Sequence, residues 1–248
     1  MSMTNSMTNK EIWDFLLSKT KNKFGTAAIM GNLMAESSLN PKNATGLKKT
    51  SYTSVDQYIL ASDDGVHDFV NDGVAFGFVQ WCYYSRKQGL YNYIKSKSGS
   101  VADAKLQLEY LVKEMSESYK TVWSAVTEAV SIRSASDVVM LKYEKPSNTS
   151  ETMRQKRADY GQKYYDTFAS SELQDNPGKN ESKTSSKKVV VTKDRVNLRA
   201  GNGTNFSRIS QVNKNAMYEW VATSENGWYA IKIPGKVVWV SGEFSKLI

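Results

Sequence analysis

A glutamate at the end of a predicted helix is the first residue of this sequence whose type and position suggest chemistry. The segment 25–41 reads GTAAIMGNLMAESSLNP, and at about 100° per residue Ile29, Leu33 and Glu36 share one helix face. Pro41 ends the pattern, so Glu36 falls in the last turn or just past it. We predict that burial and the negative helix end raise the pKa of Glu36 and prepare it to donate a proton. The alternative is a structural glutamate paired with a lysine or arginine.

A second stretch, GVAFGFVQW over 73–81, combines glycine, amide and aromatic groups without a charge. Gly77 allows close backbone approach to a ligand, Gln80 can both donate and accept, and Trp81 offers a flat apolar surface. This mixture suits an N-acetylated sugar, which presents an apolar ring face and an amide. A buried strand or turn with core aromatic residues is the competing interpretation. Tyr143, in LKYEKP, is a further candidate contact, with packing under the following proline as its structural alternative.

Hydrolysis of a glycoside ordinarily uses two carboxyl groups, roughly 5 Å apart in retaining enzymes and about 6.5 to 9.5 Å apart in inverting ones. Asp72 is the predicted partner of Glu36, because it directly precedes the glycine-aromatic stretch. Asp63, Asp64 and Asp68 are the alternatives, although most aspartates in such a region cap turns.

The candidate site residues must be positioned by helices, which the sequence predicts from capping signals and apolar spacing. Thr8 and Glu11 have the spacing of a capping box and predict a helix from about Lys10. After the Glu36 helix, about forty residues rich in Asn, Gly, Ser and Asp predict loops and short elements. Apolar residues then recur at helical spacing after Ser100, over 122–129, from Ser136 and over 153–168. Residues 1–168 are therefore predicted to form a mainly α-helical domain.

The sequence changes character after residue 168. Residues 169–187, ASSELQDNPGKNESKTSSK, contain no aromatic side chain and predict a flexible linker. Six short β-branched and aromatic segments follow, with turn signals at Gly201-Asn202-Gly203, Asn226-Gly227 and Pro234-Gly235. Residues 188–248 are therefore predicted to form a small all-β barrel.

The composition excludes several classes of site. Cys82 and His67 are the only residues of their types, which rules out an internal disulfide, a usual structural zinc site and a histidine metal cluster. We predict no metal and no cofactor. The net charge of +8 is uneven, because residues 1–168 carry 21 basic and 18 acidic groups whereas residues 188–248 carry 9 and 4. An anionic partner is favoured, but no motif for reading nucleic acid is present, so nucleic acid is not predicted.

The N-terminal residues MSMTNSMTNKEIW lack the apolar core of a signal peptide, and no segment has transmembrane length. We therefore expect synthesis in a host cytoplasm, no membrane insertion, and access to an external target through a membrane pore opened by another component. A virion-borne protein would carry the same signals.

Five ordered motifs between residues 9 and 168 read AAIMGNLMAESSLNP, NDGVAFGFVQWCYYSRKQGL, LQLEYLVKEM, LKYEKP and RADYGQKYY. Together they resemble the phage tail lysozyme family, including related endolysins of clostridial phages. The resemblance implies a lysozyme-like α+β fold, cleavage of the peptidoglycan glycan strand, and the role of acid for Glu36. Family members commonly read Gly-Tyr-Gly-Leu-Ala-Gln-Trp where this chain has AFGFVQW over 75–81.

The C-terminal part contains VVVTKDRVNLRAGNG, NGWYAIKI and VVWVSGEF, which resemble bacterial Src-homology-3-like (SH3-like) wall-binding domains. The resemblance implies targeting to the bacterial cell wall. So small a barrel cannot bury all of its aromatic surface, and the predicted ligand contacts are Trp220, Trp228, Tyr229 and Trp239. Arg195, Arg199 and Arg208 are candidates for pairing with wall carboxylates, although a solvated surface is the common fate of such charges.

The combined prediction is a modular peptidoglycan hydrolase, an endolysin with N-acetylmuramidase activity. Glu36 protonates the leaving oxygen, Asp72 assists water or the oxocarbenium-like centre, and Gln80 and Trp81 position the sugar. Lytic transglycosylation and a glucosaminidase cut are alternatives on the same polymer. A non-catalytic wall-binding or virion structural protein is the alternative of a different class.

Overall fold

A computed structural model describes residues 6–169, 187–233 and 236–248. Apart from its two ends, the predicted linker over 169–187 lies outside the described residues, and so does the turn predicted at Pro234-Gly235. The linker and the domain boundaries therefore remain predictions. The described residues form a helical part followed by a β part.

The helical part confirms the predicted fold class. Its described α-helices are α1 (Asn9–Thr20), α2 (Lys23–Ser37), α3 (Val55–Asp63), α4 (Tyr84–Ser96), α5 (Ala104–Ser118), α6 (Lys120–Thr127), α7 (Ile132–Val138) and α8 (Glu151–Tyr164). Two π-helical segments, Val139–Glu144 and Tyr165–Ala169, continue α7 and α8, and the strands β1 (Ala44–Thr45) and β2 (Ala75–Phe76) pair antiparallel. Across the described ranges, no helix has both the length and the apolarity to cross a bilayer.

Helix α2 forms the centre of this domain, and ten of its fifteen residues are buried. Helix α8 packs against it at very short range, since a Cβ at Gly31 would lie 2.3 Å from the Arg157 carbonyl oxygen. A Cβ at Gly161 would likewise lie 2.6 Å from the Ala27 carbonyl oxygen. Glycine at both positions lets the two backbones approach. This approach places Arg157 beside the C-terminal end of α2, where Glu36 lies.

Local sequence signals predict α1 and α2 correctly, and the capping box at Thr8 is present. Two predicted helix starts are wrong. Asp103 caps α5 instead of Ser100, and Ser131 caps α7 instead of Ser136. The sequence does not predict α4, because its residues are mostly polar and only three of them are buried.

The β part is a seven-stranded antiparallel sheet. Its strands are β3 (Lys188–Val191), β4 (Val196–Arg199), β5 (Arg208–Val212), β6 (Met217–Thr223), β7 (Trp228–Ile233), β8 (Lys236–Ser241) and β9 (Ser245–Leu247), in the spatial order β5-β4-β8-β7-β6-β3-β9. The first six are the segments that the sequence predicts, and β9 is an addition. Apolar side chains of four strands form the core of the sheet: Val189, Val191, Val196, Leu198, Ile231, Val238 and Val240.

Candidate active site

The C-terminal end of α2 is fixed against the glycine-aromatic loop. Two consecutive non-glycine residues, Ser38 and Leu39, have φ of 56°, so the chain turns through the left-handed region directly after the helix. The buried Ser37 hydroxyl donates to the Phe78 carbonyl oxygen at 2.9 Å. These features hold the neighbouring residue, Glu36, at the edge of the domain beside the loop.

Glu36 forms an ion pair with Arg157 of α8. Arg157 Nη2 lies 2.5 Å from Glu36 Oε1, and Arg157 Nη1 donates to Asn32 Oδ1 at 3.0 Å. The side chain of Arg157 is 3% exposed and that of Glu36 is 19% exposed. Glu36 is therefore anchored from inside the domain and remains open to solvent on one side. Such a charge-assisted contact is strong, and it is the pairing that the structural interpretation of Glu36 anticipates.

A second carboxyl group, that of Glu144, lies within electrostatic reach of Glu36. Glu144 ends the π-helical segment Val139–Glu144, and its Oε1 is buried without a hydrogen-bond partner in the described part of the chain. Burial, together with the negative charge of Glu36, raises the pKa of Glu144 well above its usual range, although Arg86 and Arg157 oppose this shift. Glu36 and Glu144 therefore interact electrostatically and have different surroundings.

A third carboxyl group, Glu114 of α5, binds Arg86 inside the domain. Arg86 Nε and Nη2 donate to its two oxygens at 2.7 and 2.9 Å. Trp81 Nε1 and the Tyr143 hydroxyl also donate to Glu114 Oε2, at 3.1 and 2.6 Å. Glu144 interacts electrostatically with both of these charged groups as well as with the first ion pair. We call the five side chains the carboxyl-arginine cluster: Glu36, Glu114, Glu144, Arg86 and Arg157.

The aromatic residues predicted to bind sugar lie inside the protein. Trp81 and Tyr143 are each 1% exposed, and both donate to Glu114. Their burial favours a structural role, and sugar contact by either residue stays a prediction. Exposed rings are found just after the loop, at Tyr83 and Tyr84, which the sequence analysis does not single out.

Gly77 and Gln80 shape the glycine-aromatic loop through contacts with the protein. The side-chain amide of Gln80, a residue with φ of 55°, donates to the carbonyl oxygens of Asn43 and Gly77 at 3.0 and 2.9 Å. Gly77 has φ of 77°, and a Cβ there would lie 2.4 Å from Gln107 Oε1. Glycine is thus required at position 77 because the backbone there packs closely against the Gln107 side chain. A direct role of either loop residue in substrate binding stays a prediction.

Asp72, the predicted second catalytic carboxyl group, is enclosed by polar partners. Lys87 Nζ binds its Oδ1, the Tyr58 hydroxyl donates to Oδ2 at 2.7 Å, and His67 Nε2 lies 2.9 Å from Oδ2. The side chains of Asp72 and Lys87 are 2% and 0% exposed. Burial alone raises the pKa of Asp72, but the hydrogen bonds from Lys87, the Val74 amide and the other partners hold it below its ordinary value. This environment favours a structural ion pair, and a catalytic role for Asp72 stays a prediction.

The alternative aspartates serve the backbone. Asp63 accepts from the Val101 amide at 2.7 Å, and Asp68 accepts from the Asn71 amide at 3.2 Å. Asp64 is the C-terminal cap of α3. Asp68 thus has the turn-capping role that the structural alternative predicts, whereas Asp63 joins α3 to the segment at Val101.

A cleft of about 360 Å³ lies in the β part and is lined by Trp228. Two acidic and three basic residues share this lining: Asp194, Glu243, Lys193, Arg195 and Arg199. The cleft therefore combines aromatic surface with a small excess of positive charge. A larger cleft of about 750 Å³ lies between α3 and residues 98–100. Glu36 lines neither of these two clefts.

The other predicted aromatic contacts of the β part lie outside the Trp228 cleft. Trp239 is 1% exposed and packs within the sheet. Trp220 and Tyr229 are half-buried, and Trp220 Nε1 donates to Thr223 Oγ1 at 3.1 Å. Arg208 is exposed and does not line the cleft either. Trp228 thus shares a cleft with basic groups, and Lys187 Nζ lies 5.3 Å from the centre of the Trp220 ring outside that cleft.

The sequence patterns do not predict a role for Glu144, although the adjacent Tyr143 is a predicted sugar contact. The available signal was the run LKYEKP, in which a glutamate closes an apolar helical segment just before a proline. Glu36 likewise follows an apolar helical segment and precedes a proline, Pro41. Arg86 and Arg157 lie in polar helical sequence, where nothing local distinguishes a buried arginine from an exposed one.

Comparison with known proteins finds no match among curated proteins. A family model described as phage tail lysozyme matches residues 7–168. These residues include α1 to α8 and all five members of the carboxyl-arginine cluster. Because the match spans more than half of the 248 residues, the chain belongs to the phage tail lysozyme family.

Proposed function

We propose that this protein is a peptidoglycan hydrolase that cleaves the bond between N-acetylmuramic acid and N-acetylglucosamine, with Glu36 as the general acid. Its family gives it a lysozyme-like function directed at peptidoglycan. The observation that supports Glu36 as the acid is its placement: it is anchored by Arg157, partly exposed to solvent and within electrostatic reach of the Glu144 carboxyl group. Glycoside hydrolysis typically depends on such a pair of carboxyl groups.

The cluster could contribute to this reaction in two ways. A carboxylic acid at its open edge protonates the leaving oxygen, which makes departure of the sugar easier. The remaining negative charge favours the positive, oxocarbenium-like centre that develops at the anomeric carbon. Trp81 and Gln80 fix the loop beside Glu36, and the exposed ring of Tyr83 is a surface on which a sugar could stack. Asp72 supports the domain through its ion pair with Lys87.

Lytic transglycosylation is the second candidate within this class. The burial of Asp72 favours this reaction, because an enclosed Asp72 cannot easily assist a water molecule. Transglycosylation needs only one acid, since a hydroxyl group of the substrate itself attacks the anomeric carbon. Mass spectrometry of purified peptidoglycan after digestion separates the outcomes. We expect reducing-end N-acetylmuramic acid. Anhydro sugar ends would identify a transglycosylase, and reducing-end N-acetylglucosamine a glucosaminidase.

A non-catalytic wall-binding or virion structural role is the candidate of a different class. The ion pair between Glu36 and Arg157 favours it, since such a pair also serves a purely structural glutamate. The same digestion decides this case. If the purified protein sediments with walls and leaves every glycan chain intact, the binding role holds and the hydrolase proposal fails.

We further propose that the β part is an SH3-like domain that binds the cell wall through the Trp228 cleft. The aromatic ring and the basic residues Arg195 and Arg199 suit a wall peptide with free carboxylates. Binding of this kind raises the local concentration of the helical domain at its substrate. In this proposal the protein is made in a host cytoplasm and reaches the wall through a membrane pore.

Replacing Trp228 with alanine is expected to lower wall binding at least about tenfold, as loss of a central aromatic contact does in other interfaces. Soluble glycan fragments should be cleaved at the wild-type rate, because the helical domain is unchanged. The measurement is co-sedimentation with purified walls over a range of protein concentrations. Trp220→Ala is the matched control, since this half-buried tryptophan lies outside the cleft. Equal loss in both variants would contradict a site at Trp228.

A further inference from the structure

The carboxyl-arginine cluster has an uneven balance of charge. It contains three carboxyl groups and two guanidinium groups, and arginine keeps its proton in proteins. With every group ionised, the cluster would hold one uncompensated negative charge in a largely buried place, which is unfavourable. One bound proton makes the cluster neutral.

The hydrogen bonds show which carboxyl group has the least support for a negative charge. Arg157 binds Glu36 through Nη2, and Arg86 binds Glu114 through Nε and Nη2. Glu114 also accepts from an indole and a phenol. By contrast, the buried Oε1 of Glu144 accepts no hydrogen bond from the described residues. Hydrogen bonds to a carboxylate favour its ionised form, so the carboxyl group without them is the one that keeps a proton.

The electrostatic surroundings of Glu144 agree with this assignment. The charged groups that act on it come from four helices: Glu36 of α2, Arg86 of α4, Glu114 of α5 and Arg157 of α8. Burial and the charge of Glu36 raise the pKa of Glu144, and this effect exceeds the opposing influence of the two arginines. Among the described carboxyl groups, Glu144 is the one whose pKa is raised well above the usual range.

We propose that Glu144 holds the proton of the cluster in the resting protein and shares it with Glu36 during the reaction. The proposal rests on the function proposed for Glu36 above. The proton passes from the Glu144 carboxyl group to the Glu36 carboxylate, so Glu144 becomes the anion as Glu36 becomes neutral. Glu36 then gives the proton to the leaving sugar oxygen as the glycosidic bond breaks. Water adds its hydroxyl to the anomeric carbon and returns a proton to the pair. Glu144 is therefore a positioning residue that acts through Glu36.

Infrared spectroscopy of the full chain tests where the proton resides. A protonated carboxyl group has a C=O stretching band that a carboxylate lacks. At neutral pH we expect this band in the wild type and in the surface control Glu117→Gln. We expect it to disappear in Glu144→Gln. Absence of the band from the wild type, or its persistence in Glu144→Gln, would overturn the assignment.

The pH dependence of lysis tests whether the two glutamates share the proton. Glu144→Gln removes the carboxyl group that holds the proton. We expect lysis to fall at least about tenfold at neutral pH, as for loss of a proton-transfer group. The alkaline limb of the profile should move to lower pH, because the variant lacks the carboxyl group whose raised pKa keeps a proton in the cluster. A loss of equal size at every pH, or wild-type lysis with an unmoved limb, would overturn the proposal.

Thermal unfolding separates this role from a structural one. A carboxyl group whose pKa is raised by folding binds more protons in the folded chain than in the unfolded chain. Stability therefore falls as pH rises from the ordinary glutamate value of about 4.3 toward the raised one. Glu144→Gln lacks this loss, so it should melt at a higher temperature than the wild type at mildly alkaline pH, and the difference should shrink on acidification. A lower melting temperature at every pH would indicate a structural glutamate and contradict the proposal.

The two proposals fail in different ways. If the wild type releases no glycan ends while the infrared band is present and depends on Glu144, the hydrolase proposal fails and the location of the proton stands. If the wild type lyses walls through Glu36 and the band does not depend on Glu144, the hydrolase proposal stands and the proton assignment fails.

Discussion

Replacement of Glu36 by glutamine is expected to lower lysis of purified walls by about 10²- to 10⁴-fold, the usual contribution of a general acid. Glutamine keeps the size and most of the polarity of the side chain, but it cannot give a proton to a leaving oxygen. Wall binding should not change, because it is assigned to the β part. The decrease in turbidity of a wall suspension measures lysis, and co-sedimentation measures binding.

Glu117→Gln is the matched control for this experiment. Glu117 is an exposed glutamate of α5 whose partner is Lys113, four residues earlier. Such surface ion pairs contribute roughly 0 to 1 kcal/mol, so both lysis and stability should stay near wild-type values. Lysis that survives Glu36→Gln undiminished would remove the general acid from the proposed mechanism.

Asp72→Asn is expected to destabilise the helical domain by about 3 to 5 kcal/mol, the range for removing one partner of a buried ion pair. The change leaves the ammonium group of Lys87 in the interior without its anion, and Lys87 is 0% exposed. Denaturant unfolding followed by near-ultraviolet circular dichroism of the full chain reports this loss. Lysis per folded molecule should remain close to that of the wild type, because the enclosed carboxylate faces protein groups.

Acid unfolding is an independent test of how Asp72 contributes to stability. The pKa of Asp72 is lowered in the folded chain, so its contribution to stability is present above the unfolded pKa of about 3.9 and is lost as pH falls through the folded value. Asp72→Asn should therefore lack this part of the acid transition. Asp56→Asn is the control, since Asp56 is exposed and only weakly paired with Lys42. A stable Asp72→Asn protein without lytic activity would support the catalytic role that the sequence predicts.

The parts of the fold that follow from local patterns are predictable from the sequence. The capping box at Thr8, the apolar run of α2 and the alternating strands of the β part each depend on residues close together in the chain. Helix α4 escapes prediction because it is held by a few long-range contacts. Among them, Lys87 reaches the Asp72 carboxylate and the Val74 carbonyl oxygen.

The candidate site is predictable only in part for the same reason. Glu36 is found because its own helix pattern marks it. Its partner Arg157 lies 121 positions away on a helix with no distinguishing pattern. Asp72 adjoins the glycine-aromatic loop in sequence and pairs with Lys87, whereas Glu144 is distant in sequence from Glu36 and interacts with it electrostatically.

The most direct measurement of the central claim is the number of new sugar ends in purified peptidoglycan incubated with the wild-type chain or with Glu36→Gln. New ends should accumulate with time for the wild type and stay at the level of untreated peptidoglycan for the variant. The general-acid role of Glu36 is contradicted if the wild type produces no new sugar ends, or if the variant produces new ends as fast as the wild type.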